Sequence, residues 1–221
     1  MSLEYFRIIA AISSLSIVLP LLLGLIKRRQ LNRLQYRIWV LVIVTAVFEI
    51  IANPISLPLW EWLTGEPRNL PGAHLYTLVQ FSLVLWIYQE LLVEQTRPWL
   101  FPTLLVVFFS FVVWNGLYLD EFRNFNPHAR GLQAVILLPL ILSYFYQLLR
   151  SLQIPRLEKE PLFWASAGFT IYFSGSLLIF LLSNYLLEAP ETLRALYAVH
   201  SLLNILLNLF LVPALWIRHR K

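Results

Sequence analysis

The chain has no cysteine, which excludes disulfides, thiolate catalysis and cysteine-held zinc or iron–sulfur centres. Charge is scarce as well. Asp, Glu, Lys and Arg make up 13% of the 221 residues against 59% hydrophobic ones, and the mean hydropathy is +0.69. A soluble domain of this size needs a polar coat that such a composition does not supply. There are only seven glycines, and none forms a phosphate-cradling loop. No H-x-x-x-H or H-E-x-x-H pattern offers a zinc site. The segment 195–217 lacks the lysine that a retinal Schiff base would require. No Ser–His–Asp set occurs at useful spacing. Nothing in the sequence asks for an enzyme, a metal or a cofactor. A net charge of +5 could suggest a nucleic-acid partner, but the basic residues lie in short connections between apolar runs. That placement points to membrane orientation instead.

What the sequence does have is long apolar runs. A bilayer core of roughly 30 Å needs about 20 apolar helical residues. Seven segments meet that length, at approximately 5–26, 38–60, 73–93, 99–118, 130–150, 162–186 and 195–217. The connections between them are short and carry charge, Pro or Gly. The expected fold class is therefore all-α: one polytopic membrane domain over residues 1–221, a seven-transmembrane-helix bundle. Lys27, Arg28, Arg29, Arg33, Arg37, Arg97, Arg150, Arg156, Lys159, Arg218, Arg220 and Lys221 place 12 of the 17 basic residues on one side, leaving 5 on the other. The positive-inside rule then expects the N-terminus outside and the C-terminus cytoplasmic, in the inner membrane. Trp39, Trp99, Trp164 and Trp216 fall at the inner interface, and Trp60, Trp62 and Trp114 at the outer. The first span runs straight into KRR with no small-residue cleavage site, so it reads as an uncleaved anchor. IVLPLLL at 17–23 resembles ILLPLIL at 136–142, and HLYTLV at 74–79 resembles ALYAVH at 195–200. Such offsets would suit a 3+1+3 repeat of the kind found in some transporters, though apolar segments also resemble one another by composition alone.

Several polar residues interrupt these runs. VFEIIANP at 47–54 places Glu49 and Asn53 deep in the second span, about 17 and 23 Å from the inner interface at ~1.5 Å per residue. The last span carries His200, Asn204 and Asn208 on one stripe, with Asn204 level with Glu49 and His200 level with Asn53. Gln80 and Tyr172 come to about 20 and 15 Å by the same count. Taken singly, an Asn or Gln is what an interhelical hydrogen bond needs and implies nothing more. The shared depth is what sets the six apart. A carboxylate at Glu49's depth costs several kcal/mol, and the sequence shows no Lys or Arg at that level to offset it. A neutral, hydrogen-bonded carboxyl is the expected state, with Asn53, Asn204 or a trapped water as partner. Glu49, Asn53, Gln80, Tyr172, His200 and Asn204 are thus the candidate ligand-binding residues of an outward-opening polar pocket. Gly168 and Gly175, with Ala165, Ser174 and Ser176, mark a close-packing face of the sixth span.

The runs NLPGAHLYTLVQFSLVLWIY, FNPHARGLQAVILLPLILSYFYQLL and EKEPLFWASAGFTIYFSGSLLIFLLSN resemble bacterial seven-span proteins of uncharacterised function. Relatives of that group occur alone or as the membrane part of sensor histidine kinases. The resemblance extends over most of the chain, through loosely defined hydrophobic motifs. It implies a receptor-like module that takes input from outside or from the bilayer, as a small-molecule or lipid ligand. Because the sequence stops at WIRHRK, output is expected through a separate cytoplasmic partner. The alternative reading is a small-solute transporter of the 3+1+3 type, with Glu49 coupling protons.

Overall fold

The computed structural model describes residues 3–52, 61, 70–93, 99–118, 127–151, 156–183 and 190–217. Among these the regular structure is helical: α1 (Leu3–Ser16), α2 (Val18–Lys27), α3 (Arg33–Ala52), α4 (Leu70–Val93), α5 (Leu100–Tyr118), α6 (Pro127–Ser151), α7 (Pro161–Ser183) and α8 (Pro190–Trp216), with a short 3-10 turn at Leu157–Lys159. Three helices open on proline, where the missing N–H costs nothing and the fixed φ favours the first turn.

Taking α1 and α2 together, six helical segments are long and apolar enough to cross a membrane. The helix α4 has the length, at 24 residues, but it spends more positions on polar side chains. Its apolar residues explain its place in the bundle. Phe81, Val84, Leu85, Ile87 and Tyr88 are all buried, and Phe81 stacks on Phe108 of α5 at 3.9 Å between centroids. The outer surface is lined with exposed large side chains, among them Ile8, Leu22, Val106, Leu149, Leu178 and Leu202. An apolar surface of that extent marks a protein solvated by lipid.

The contacts close a ring. The pair α1/α2 packs on α8 and α2 on α3. From there α3 packs on α4, α4 on α6, α6 on α7 and α7 on α8. The helix α5 stands outside this ring, against α4 and α6. The α7–α8 interface is the most extensive, for a reason the sequence displays. A Cβ on Gly168 would meet Phe210 and Leu207, and one on Gly175 would meet Leu203. The close-packing face expected on the sixth span therefore serves the seventh.

Several boundaries differ from the sequence reading, and two of the differences have a local reason. The second span, expected from residue 38, begins at Arg33. Asn32 Oδ1 accepts from the Gln35 backbone N–H at 2.7 Å, while Gln35 Oε1 accepts from the Asn32 N–H at 3.2 Å. This reciprocal capping box satisfies two orphan donors and starts the helix early. The first span, expected as one helix, keeps helical backbone angles at Ile17 (φ −64°, ψ −22°) and runs as one span over Glu4–Lys27, but its ladder is interrupted there. Pro20 has no N–H for the Ser16 carbonyl and its ring crowds that carbonyl, which interrupts the ladder there. Residues 53–60 and 184–186 of the expected spans lie outside the described residues.

Polar clamps hold the end of the bundle that carries KRR. Gln35 Nε2 donates to the carbonyls of Ala214 and Ile217 at 3.0 and 2.7 Å, caring for groups that a helix C-terminus leaves unpaired. Lys27 Nζ donates to the Trp216 carbonyl at 2.6 Å and sits over the Trp216 ring. Arg33 and Arg37, read as loop residues from sequence, are both helical. Arg37 is only 3% exposed, donating to the Trp86 carbonyl at 2.8 Å and to Glu90 at 2.7 Å, where Arg33 joins at 2.9 Å.

Candidate functional site

At the other end the ring opens into a cavity of about 310 Å³, reached by residues of α1, α3, α4, α6, α7 and α8. Four of the six residues singled out in the sequence line it: Glu49, Tyr172, His200 and Asn204. Gln80 lies at its base rather than on its wall. Asn53 lies outside the described residues.

The base of the cavity is a band of hydrogen bonds between helices. Gln80 Nε2 donates to the Tyr76 hydroxyl at 3.0 Å, and that hydroxyl lies 3.2 Å from Thr45 Oγ1. Gln133 Nε2 donates to Gln80 Oε1 at 3.1 Å. The Tyr172 hydroxyl interacts with Gln80 and Ser176, and Ser176 Oγ lies 3.3 Å from His200 Nδ1. The His200 ring packs between Tyr172 and Phe180, each at 5.6 Å between centroids. Gln80 therefore acts as the joint that ties α3, α4, α6 and α7 at one level. In hydrocarbon such a network has no competing water, so its members fix one another's orientation.

The partners expected for Glu49 and Asn204 are not the ones observed. The register argument expects the two side by side on α3 and α8. Both line the cavity, but each bonds to α1. Glu49 Oε2 accepts from Ser14 Oγ at 2.8 Å, and Asn204 Nδ2 donates to Ser13 Oγ at 3.0 Å. One turn further on, Asn208 Nδ2 donates to Ser16 Oγ at 2.7 Å. Helix α1 thus supplies the matching rungs for the Asn stripe of α8. The rungs are Ser13 with Asn204 and Ser16 with Asn208, numbers rising together as parallel neighbours require. Asn208 and Ser16 are both buried, so this rung is shielded even from lipid.

The sequence also misses a charge. Arg130, from the first turn of α6, lines the same cavity as Glu49. Its guanidinium carbon stands 5.4 Å from the centre of the Phe180 ring, a cation–π distance. The expectation that no basic group reaches Glu49's surroundings is therefore corrected. A long side chain rooted near a helix end carries its charge well away from its own backbone level. Tyr76 and Tyr172 lie within electrostatic reach of both Glu49 and Arg130. The cavity thus presents one carboxyl group and one guanidinium, flanked by phenols, serines and an imidazole. Such a set can orient a small polar ligand by charge and hydrogen bonds. Among the described residues, no three His, Asp or Glu side chains gather as a metal site.

The chain matches no family model, no curated protein and no solved structure.

Proposed function

We propose that the chain is a seven-span, receptor-like module of the cytoplasmic membrane, N-terminus outside and C-terminus inside, with α4 as the third span. In this reading a small ligand occupies the polar cavity, and the KRR end passes the signal to a separate cytoplasmic partner. The observation that carries it is asymmetry. The polar cavity lies at one end of the ring. Toward the KRR end the ring is filled by buried Ile38, Val42, Leu85, Tyr88, Phe169 and Leu215 and held by the Gln35, Lys27 and Arg37 clamps. A carrier needs two alternately open ends around one site; a receptor needs one open end and one end that reports. The basic residues of the first loop support a cytoplasmic position for the reporting end.

The transporter reading keeps one observation in its favour. With α5 outside the ring, three spans on each side of it form the wall, which is the layout a 3+1+3 repeat would give. Vesicles containing the purified protein separate the two readings. Small molecules that co-purify with it, identified by mass spectrometry, should bind without being taken up. Concentrative or saturable uptake of any of them would replace the receptor by the carrier.

A further inference from the structure

The cavity borders a gap between α1 and α3. The interruption at Ile17 divides the first span into two parts with different neighbours. Below the interruption, α2 packs on both α3 and α8. Above it, α1 packs on α8, and among the described residues it makes almost no backbone approach to α3. The cavity lies in that divergence, with Ser13 and Ser14 of α1 on one side and Thr45 and Glu49 of α3 on the other. The Ser14–Glu49 hydrogen bond crosses the gap. The residues next to this bond in sequence face outward, Leu15 at 67% exposure and Ile50 at 72%. A gap flanked by lipid-facing side chains and bridged by one exposed polar pair suits a ligand that arrives from the bilayer.

The charges define what would fit. Glu49 stands at the gap and Arg130 belongs to the opposite wall, on α6. A group that bears both signs can engage the two at once. A guanidinium presents a planar fork suited to phosphate oxygens, and a carboxylate accepts from an ammonium. At about 310 Å³ the space is at the small end of ligand pockets, which run from about 300 to 1,000 Å³. It holds a headgroup and leaves acyl chains in the gap and beyond. We propose that the cavity binds a zwitterionic ammonium–phosphate group, the headgroup chemistry of an aminophospholipid. The ammonium pairs with Glu49, the phosphate pairs with Arg130, and the lipid enters between α1 and α3. This rests on the ligand-binding reading above and narrows it to a chemical class and a route.

The test is native mass spectrometry of the full chain from micelles holding equimolar phosphatidylethanolamine and phosphatidylglycerol with identical acyl chains. Both lipids carry the phosphate, and only the first carries the ammonium. Wild type should retain phosphatidylethanolamine in preference by roughly tenfold, the factor that one charge-assisted hydrogen bond supplies. Glu49→Gln keeps the side chain's shape and should bring the two lipids to parity without lowering phosphatidylglycerol. Arg130→Gln should lower both. Parity in wild type, or a preference that survives Glu49→Gln, overturns the proposal. Displacement of the bound lipid by an equimolar amount of free O-phosphoethanolamine would retain the zwitterion chemistry and overturn the lipid as its source. Parity in a protein whose cavity still binds co-purifying solutes removes the lipid inference and leaves the receptor reading in place. Uptake of those solutes removes the receptor reading whatever the lipids do.

Discussion

At the scale of residues, the bundle is fastened by a few polar pairs whose value lies in what happens when one member is lost. Tyr88 and Ser166 share a hydrogen bond of 2.6 Å in the packed half, and both are buried. Removing one partner leaves the other desolvated and unpaired, at about 1–3 kcal/mol, whereas removing both can be nearly neutral. Ser166→Ala should therefore lower stability in detergent more than the double variant with Tyr88→Phe does. Chemical unfolding of the three variants checks this, and a double variant as weak as the sum of the singles would contradict it. The same logic ranks the two rungs between α1 and α8. Asn208→Leu should cost more than Asn204→Leu, because Asn208 is buried whereas Asn204 borders the cavity. We expect a difference of about 0.5–1.5 kcal/mol, the net worth of one such bond. The Asn stripe was legible in the sequence because Asn is costly in a membrane and repeats at helical spacing. Its serine partners were not. A serine in an apolar helix can bond back to its own backbone, as Ser82 and Ser201 do here, so its presence signals little. Arg130 was missed for a different reason: a residue at a helix start reads as a loop charge, and only coordinates show where its flexible arm leads.

At the scale of elements, close approaches decide which glycines matter. Gly24 of α2 lies directly against the indole of Trp39 on α3, where a Cβ would overlap the ring. That ring is also fixed by Trp39 Nε1 donating to the Leu21 carbonyl at 3.3 Å. Gly24→Ala should displace the indole and cost about 1–3 kcal/mol, the usual range for overpacking. By contrast, Gly131 near the start of α6 has open space where its Cβ would be. Gly131→Ala should stabilise the helix by up to about 1 kcal/mol. Thermal unfolding of the pair gives opposite signs if the packing is as described, and a destabilised Gly131→Ala would contradict it. Helix existence was readable from apolar length. The early start of α3 was readable in principle from Asn32 and Gln35, three apart as a capping box demands, yet the apolar run that first draws attention begins later. The interruption at Ile17 is harder to read. Pro20 announces some distortion, but a proline in a membrane helix can kink it or merely bend it. The helical angles kept at Ile17 show that only the ladder is interrupted.

At the scale of the whole molecule, one end of the ring is polar and hollow and the other is apolar, packed and edged with basic side chains. The 12-to-5 division of Lys and Arg predicts a cytoplasmic C-terminus. A fluorescent reporter fused after Lys221 should mature, while a periplasm-dependent enzyme at the same place should stay inactive. The reverse pattern would turn the cavity toward the cytoplasm. The shared depth of Glu49, Gln80, Tyr172, His200 and Asn204 was legible from counting along antiparallel spans, since depth follows from helix rise alone. Which of them bond to one another was not, because that depends on helix order around the ring, to which a linear count is blind. The central claim, a polar intramembrane cavity open from one side only, can be tested through the absence of cysteine. Ser201 lines the cavity, and Ser201→Cys places a single thiol there with little change of shape. In oriented membrane vesicles, a charged, membrane-impermeant thiol reagent should modify it from the outer face and leave it untouched from the cytoplasmic face. Equal modification from both faces, or none from either while unfolded protein reacts fully, would contradict the account.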